Sequence, residues 1–320
     1  MNPKNQIILH KNSVIKRKQL LAYLSLAAIC LIWGTTFLGI RIGVKEFPPF
    51  LFAGIRQICA GILVILIMVI FQNEKIPDLK HIGRMSLLGF FMLTLGNGLV
   101  TKAEVFVDSG IAAIICSIMP ILVIVINLFL NWKDKPNLLI ILGTIIGLSG
   151  IILVFRENLS SFANPNYTEG IMLIFLATLS WAAGSLVAKR FNQSTNLFMN
   201  AGLQMFFGGV WCLPLSFLFD NLTAIPWSAS VFYSLGYLAI AGSALAYVLY
   251  FYAITHLPMT VASLYSYINP LVAVILGWFV LDEKLNFWIF IAFLITITGI
   301  YMVNRGQQVK SKASLNPPTE

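Results

Sequence analysis

The chain alternates between uncharged apolar runs of about twenty residues and short polar connections. A helix needs a run of roughly that length to cross the hydrocarbon core of a bilayer. Read in order, ten spans are predicted, at residues 20–40, 48–71, 84–101, 109–131, 137–155, 170–188, 197–219, 228–252, 259–281 and 285–304. The eighth and ninth are divided only by His256-Leu257-Pro258. No Lys, Arg, Asp or Glu stands between Asp220 and Asp282, and the sixty-one residues between them are too many for one crossing. A polar connection at 156–169 contains Asn164-Pro165-Asn166, which has the turn chemistry of a surface loop. The pattern divides the chain into a basic tail (1–19), a five-span unit (20–155), a connecting loop (156–169), a second five-span unit (170–304) and a polar tail (305–320). The expected fold is an all-α membrane protein with ten transmembrane helices.

The two units repeat one another. Trp33-Gly-Thr-Thr is echoed by Trp181-Ala-Ala-Gly 148 residues later, and Gln57 with Gly61 recurs as Gln204 with Gly208 at an offset of 147. The segment from Ala112 to Pro120 recurs from Ala262 to Pro270 at an offset of 150. Solenoid repeats have periods of only about 20–50 residues, so a period this long marks duplication of a whole membrane unit. A unit with five spans reverses direction on each copy. The expectation is therefore two inverted five-helix repeats, an arrangement on which many secondary transporters are built.

Composition agrees: 58% of the 320 residues are apolar and 10% charged, against roughly a quarter charged in soluble domains. Placing both termini in the cytoplasm puts fifteen Lys and Arg residues on that side. Five (Arg41, Lys45, Lys102, Arg156 and Lys284) then face outward, and Arg56 alone lies within a span. This is the positive-inside bias, so the net charge of +9 reports topology and gives no reason to expect a nucleic-acid partner. The basic N-terminal tail suits retention in the cytoplasm, with anionic membrane lipid as a further contact. The first apolar run is too long for a cleaved signal peptide and lacks a small-x-small cleavage site before Trp33. Cys30, Cys59, Cys116 and Cys212 sit in apolar stretches without paired spacing, and His10, His81 and His256 show no ligand spacing. No metal, cofactor or disulfide is expected. The spans also offer no convergent acid, base and nucleophile, so an embedded enzyme is the weaker reading.

Gly242-Ser-Ala-Leu-Ala-Tyr-Val-Leu-Tyr-Phe-Tyr-Ala, followed by Ala262-Ser-Leu-Tyr-Ser-Tyr-Ile-Asn-Pro and on to Glu283, resembles the second unit of the EamA-like branch of the drug/metabolite transporter superfamily. Trp33-Gly-Thr-Thr-Phe, Arg56, Asn97-Gly-Leu-Val-Thr-Lys-Ala-Glu104 and Ser109-Gly-Ile-Ala-Ala resemble the first unit. The resemblance runs in order from about residue 20 to 304. It implies ten helices in two inverted repeats around a central cavity, and export of small organic solutes such as amino acids or related metabolites.

Polar groups are costly in lipid and should mark the path. Asn97, Thr101, Glu104 and Asp108 are spaced as one helical face, although Asp108 or Ser109 suits equally the N-cap of the fourth span. Glu104 is also a candidate proton carrier, antiport and uniport both remaining open. At an offset of 150 the second unit presents Tyr247 in place of Asn97, with Tyr250, Tyr265 and Tyr267 nearby. Amide and carboxylate on one side would then face aromatic rings on the other. Trp33 with Thr36, and Trp181 with Ser185, pair a bulky ring with small residues one turn on, which suits either helix packing or space beside the ring. Pro120 and Pro270 are matched helix kinks, and Asn269 stands beside the second. Arg56 suits a substrate carboxylate, snorkelling, or pairing with a carboxylate at a helix end. A sugar-phosphate or nucleotide-sugar antiporter is the alternative, but it would call for several cavity cations. Both a monomer and a homodimer fit the sequence.

Overall fold

The computed structural model describes residues 3–119, 121–122, 125–126, 136–157, 164–191, 196–257, 265–284 and 287–315. These residues are helical or in connections, with no strand among them. The first unit contains α1 (Pro3–Val44), α2 (Pro49–Phe71), α3 (Leu79–Ala103), α4 (Ser109–Cys116) and α5 (Leu138–Glu157). The second contains α6 (Pro165–Phe191), α7 (Leu197–Phe219), α8 (Ala229–His256), α9 (Tyr265–Leu281) and α10 (Phe287–Leu315). Among the described residues, seven helices are long and apolar enough to cross a membrane: those in α1, α2, α3, α6, α7, α8 and α10. Two shorter apolar helices, Leu138–Gly150 and Ile268–Leu281, lie in α5 and α9. Of the fourth expected span, Pro120 and residues 123, 124 and 127–131 lie outside the described residues. The chain is thus an all-helical, multi-pass membrane protein. α1 runs without a break from Pro3 through the basic segment into the first span.

Polarity is arranged for lipid. Large apolar side chains such as Phe71, Phe217 and Phe279 point outward, while Arg56, Gln57, Thr94, Thr101, Glu104, Asn200 and Gln204 are buried. That is the pattern of a bundle that hides its polar groups from hydrocarbon.

The two units interlock. α2 packs on α7 and α5 on α10; α1 packs on α8 and α9, and α6 packs on α3 and α4. Glycine permits the two like-with-like crossings. A Cβ on Gly209 would lie 2.6 Å from the Gly54 carbonyl oxygen, and one on Gly143 would lie 2.7 Å from both the Gly299 oxygen and the Val303 nitrogen. Backbones this close gain dispersion contacts that larger residues would block, the usual basis of helix association in membranes.

Helix N-termini are tied across the units. The Asp220 carboxylate, beyond α7, accepts from Phe50 N and Leu51 N at 2.9 and 3.0 Å, covering the start of α2, where Pro48 supplies no side-chain cap. At the start of α7, Asn196 accepts from Phe198 N at 2.9 Å, and its own amide donates to Glu74 Oε1 at 2.7 Å. Each tie satisfies N–H groups that a helix start leaves orphaned.

Both units also contain a π-helical stretch, Phe90–Gly98 within α3 and Leu238–Leu245 within α8. They begin 148 residues apart, the offset that separates Trp33 from Trp181. π turns widen the helix, re-aim its side chains and cluster at functional sites.

Candidate functional site

A cavity of ≈ 170 Å³ lies where the units meet, with walls from α1, α2, α3, α4, α6, α8 and α9. Each tryptophan of the repeated pair packs against the π stretch of the opposite unit. The Trp33 indole N–H donates to Gly242 O at 3.2 Å. Trp181 lies against Gly96, where an added Cβ would come within 2.9 Å of its ring. Trp33 also heads an aromatic cluster, its ring centroid 5.1 Å from Tyr265, 5.2 Å from Tyr250 and 6.2 Å from Tyr247.

The facing wall is polar. Arg56, only 4% exposed, donates from Nε to Ser243 Oγ at 2.9 Å across the interface between units. Its NH1 reaches Asn97 Oδ1 at 3.5 Å, and Gln57 Nε2 donates to the same oxygen at 3.3 Å. Among the described residues the ion pair within 4 Å is Arg41 with Asp108, so no carboxylate pairs directly with Arg56. A guanidinium taken out of water without a counter-ion is costly. A site with space beside it is therefore suited to supplying that counter-ion from a ligand.

Of the residues expected from sequence, Trp33, Thr36, Arg56 and Asn97 line the cavity, as do Trp181, Tyr247, Tyr265, Asn269 and Pro270. The Thr36 hydroxyl donates within its own helix, to Trp33 O at 2.6 Å. Tyr250 stands behind Trp33 in the aromatic cluster rather than on the cavity wall. Ser185 donates to Trp181 O at 2.7 Å and Thr101 to Asn97 O at 2.9 Å, both away from the cavity. Asn269, with its NH₂ turned inward, donates to Tyr265 O and Cys30 O, both at 3.0 Å, which ties α9 to α1 just before Pro270.

Glu104 ends α3, fully buried and off the cavity wall, and neither carboxylate oxygen has a hydrogen-bond partner in the structure. Arg41 donates instead to its backbone oxygen and pairs with Asp108 at 3.6 Å. Burial holds the Glu104 carboxyl well above the ordinary carboxylate range, the nearby Arg41 opposing and Glu283 adding to the shift. Asp108 occupies the N-cap position of α4, but its side chain makes no cap bond. Glu283, from the connection between α9 and α10, caps this helix instead, accepting from Ser109 N at 2.9 Å, Ser109 Oγ at 3.0 Å and Gly110 N at 3.2 Å.

Four polar wall residues, Gln57, Ser117, Thr178 and Ser243, were not among the sequence candidates, and Ser117 and Thr178 donate back within their own segments to Ile114 O and Ile174 O. Gln57 had a signal, its recurrence as Gln204, but that pair served only to define the repeat. Gln204 lies away from the cavity and contacts Met85 Sδ at 3.5 Å. Ser243 has no signal of its own in a run of small residues.

The profile of the EamA-like transporter family matches residues 20–156 and again residues 168–305. The uncharacterized inner membrane transporter YedA of Escherichia coli (strain K12) is 35% identical over 286 residues, covering 88% of this chain and 90% of that protein. The uncharacterized transporter YoaV of Bacillus subtilis (strain 168) is 26% identical, over 87% of this chain and 95% of that one. Protein PecM of Dickeya dadantii (strain 3937) is 28% identical, over 87% and 93%. A crystal structure superposes with a TM-score of 0.62 at 17% identity, covering 88% of this chain and 96% of that one, which extends the likeness to the fold.

Proposed function

The chain belongs to the EamA-like transporter family, and from that premise we propose that it exports small organic metabolites, amino acids or related compounds, through the cavity between its units. The observation that carries this reading is Arg56, a buried cation without a paired carboxylate, lining a cavity whose other wall is aromatic. A carboxylate on the guanidinium and an apolar body against Trp33, Tyr247 and Tyr265 describe a small amphipathic acid. At ≈ 170 Å³ the cavity is smaller than the roughly 300 Å³ at which drug-sized sites begin, in keeping with a small solute. A phosphorylated solute would call for more cations than Arg56 supplies among the described cavity residues.

Ten spans in two inverted repeats, both termini in the cytoplasm of a cell that carries the protein in its cytoplasmic membrane, and alternating access are part of the same proposal. The exchange-symmetric packing of α1 on α8 and α9 with α6 on α3 and α4 supports it, since rocking one unit against the other moves both walls of the cavity. Protons are the proposed coupling ion. Glu104 is the candidate carrier, being a carboxyl whose hold on a proton burial strengthens, with the Arg41 guanidinium nearby to oppose that shift. The test is uptake into proteoliposomes of labelled amino acids and of sugar phosphates, with and without a pH gradient. Amino-acid flux enhanced by the gradient is expected; flux of sugar phosphates alone would replace this reading with the anion-antiport one.

A further inference from the structure

We infer that Gln57 is a specificity residue whose side-chain oxygen receives an N–H of the solute, so that the site selects an α-ammonium carboxylate over a carboxylate without the nitrogen. The inference rests on the cavity being the solute site and asks what that site distinguishes.

The orientation of the Gln57 amide follows from a chain of donors and acceptors. Arg56 has only N–H groups to offer, so the atom of Asn97 that faces it must be the oxygen, as found at 3.5 Å. The same Asn97 oxygen faces Gln57, which must then present its NH₂ group, as found at 3.3 Å. The Gln57 oxygen is left over. It is buried and has no hydrogen-bond partner in the structure, on a residue that lines the cavity and is only 2% exposed. An unsatisfied buried acceptor is costly and gains most from a charged donor. Flipping the amide to relieve it would turn two oxygens toward each other.

Arg56 and Gln57 are adjacent on α2, where neighbouring side chains ordinarily diverge. Here Arg56 NH1 and Gln57 Nε2 both reach one Asn97 oxygen, which sets side by side a residue that carries only donors and one whose acceptor is orphaned. A ligand matching that pair carries an acceptor and a donor on neighbouring atoms. An α-amino acid does so through its carboxylate and ammonium groups. Asn97 is the positioning residue that fixes both.

The aromatic wall offers a rival way to read the ammonium group, through its positive charge. Methylation separates the two. Binding of leucine, N,N-dimethyl-leucine, N,N,N-trimethyl-leucine and 4-methylpentanoate to the purified, detergent-solubilised full chain is measured by titration. One acceptor needs one N–H, so affinity is expected to survive the first two methyl groups and to fall about ten-fold or more at the third, with 4-methylpentanoate equally weak. In Gln57→Leu both preferences should shrink to within about three-fold. Trimethyl-leucine binding as tightly as dimethyl-leucine to wild type would overturn the inference and assign the ammonium to the aromatic rings, as would undiminished preference in the variant. The methyl series needs only the wild type, so it decides the matter even if Gln57→Leu does not fold. If none of the four compounds binds while a sugar phosphate does, the underlying solute assignment fails, a result distinct from a solute that binds without preference for N–H.

Discussion

Arg56→Met separates a functional cation from a structural one, because the two roles predict opposite signs for stability. A buried guanidinium carries an effective desolvation penalty of several kcal/mol. The structure shows what offsets it: one well-formed bond to Ser243 Oγ at 2.9 Å and a long contact to Asn97 Oδ1 at 3.5 Å. A hydrogen bond from a charged donor returns about 1.5–3 kcal/mol, and the long contact returns little. Methionine fills most of the volume with a flexible apolar chain. The substitution leaves Ser243 short of one partner, at a cost of about 1 kcal/mol, while Asn97 keeps its bond from Gln57. The expected balance runs from neutral to about 3 kcal/mol in favour of the variant, a melting temperature unchanged or raised by a few degrees. Solute affinity should fall about a hundred-fold, since a charged partner has been removed from a desolvated pair. The assay is thermal unfolding in detergent alongside solute binding. A variant that melts well below wild type and still binds solute normally would refute the reasoning and make Arg56 a packing residue.

Glu104→Gln tests the buried carboxyl. Its folded-state pKa lies above the ordinary value, so the stability it contributes is present at low pH and is lost as pH rises beyond the usual carboxylate range toward that higher value. The wild-type melting temperature should therefore decline more steeply than that of the variant as pH rises above the usual carboxylate range, and parallel profiles would contradict it. If Glu104 also carries the proton, the variant's flux loses its dependence on a pH gradient in proteoliposomes. Gly299→Val places side-chain atoms against the backbone of Gly147 in the α5 and α10 crossing, so the folded fraction recovered by size exclusion should drop, the overpacking cost being about 3 kcal/mol or more. Cysteine placed at Asn166 should react with an impermeant thiol reagent added outside intact cells, and protection there would reverse the proposed orientation.

Much of the architecture was legible because bilayers impose it: length and the absence of charge mark a span such as α7 without further help. The paired tryptophans were legible as a repeat, and Arg56 as a charge that lipid does not tolerate. What escaped depends on contacts between distant residues. Glu283 caps α4 from 174 residues away, and a local reading assigns that cap to Asp108 or Ser109. The π stretches occupy uniformly apolar sequence, where a change of hydrogen-bond register leaves no trace in the hydrophobic pattern. Gln57 becomes informative only when Asn97, forty residues on, fixes which way its amide turns. Of the stripe of Asn97, Thr101, Glu104 and Asp108, only Asn97 stands on the cavity wall. Thr101 bonds back to its own helix, Glu104 is buried off the cavity and Asp108 turns to Arg41.

The central claim, that the cavity between the units is a path open by turns to each side of the membrane, is tested most directly by the reactivity of a thiol placed in its wall. Ala177 lines the cavity and makes none of the polar contacts assigned to solute, so Ala177→Cys is introduced with the four native cysteines changed to serine. Its modification rate by an impermeant reagent is then measured from each face of oriented vesicles, with and without leucine. The account predicts reaction from both faces, slowed in each case by leucine. A thiol that reacts from neither face, or from one face only and at a rate leucine does not change, would contradict it.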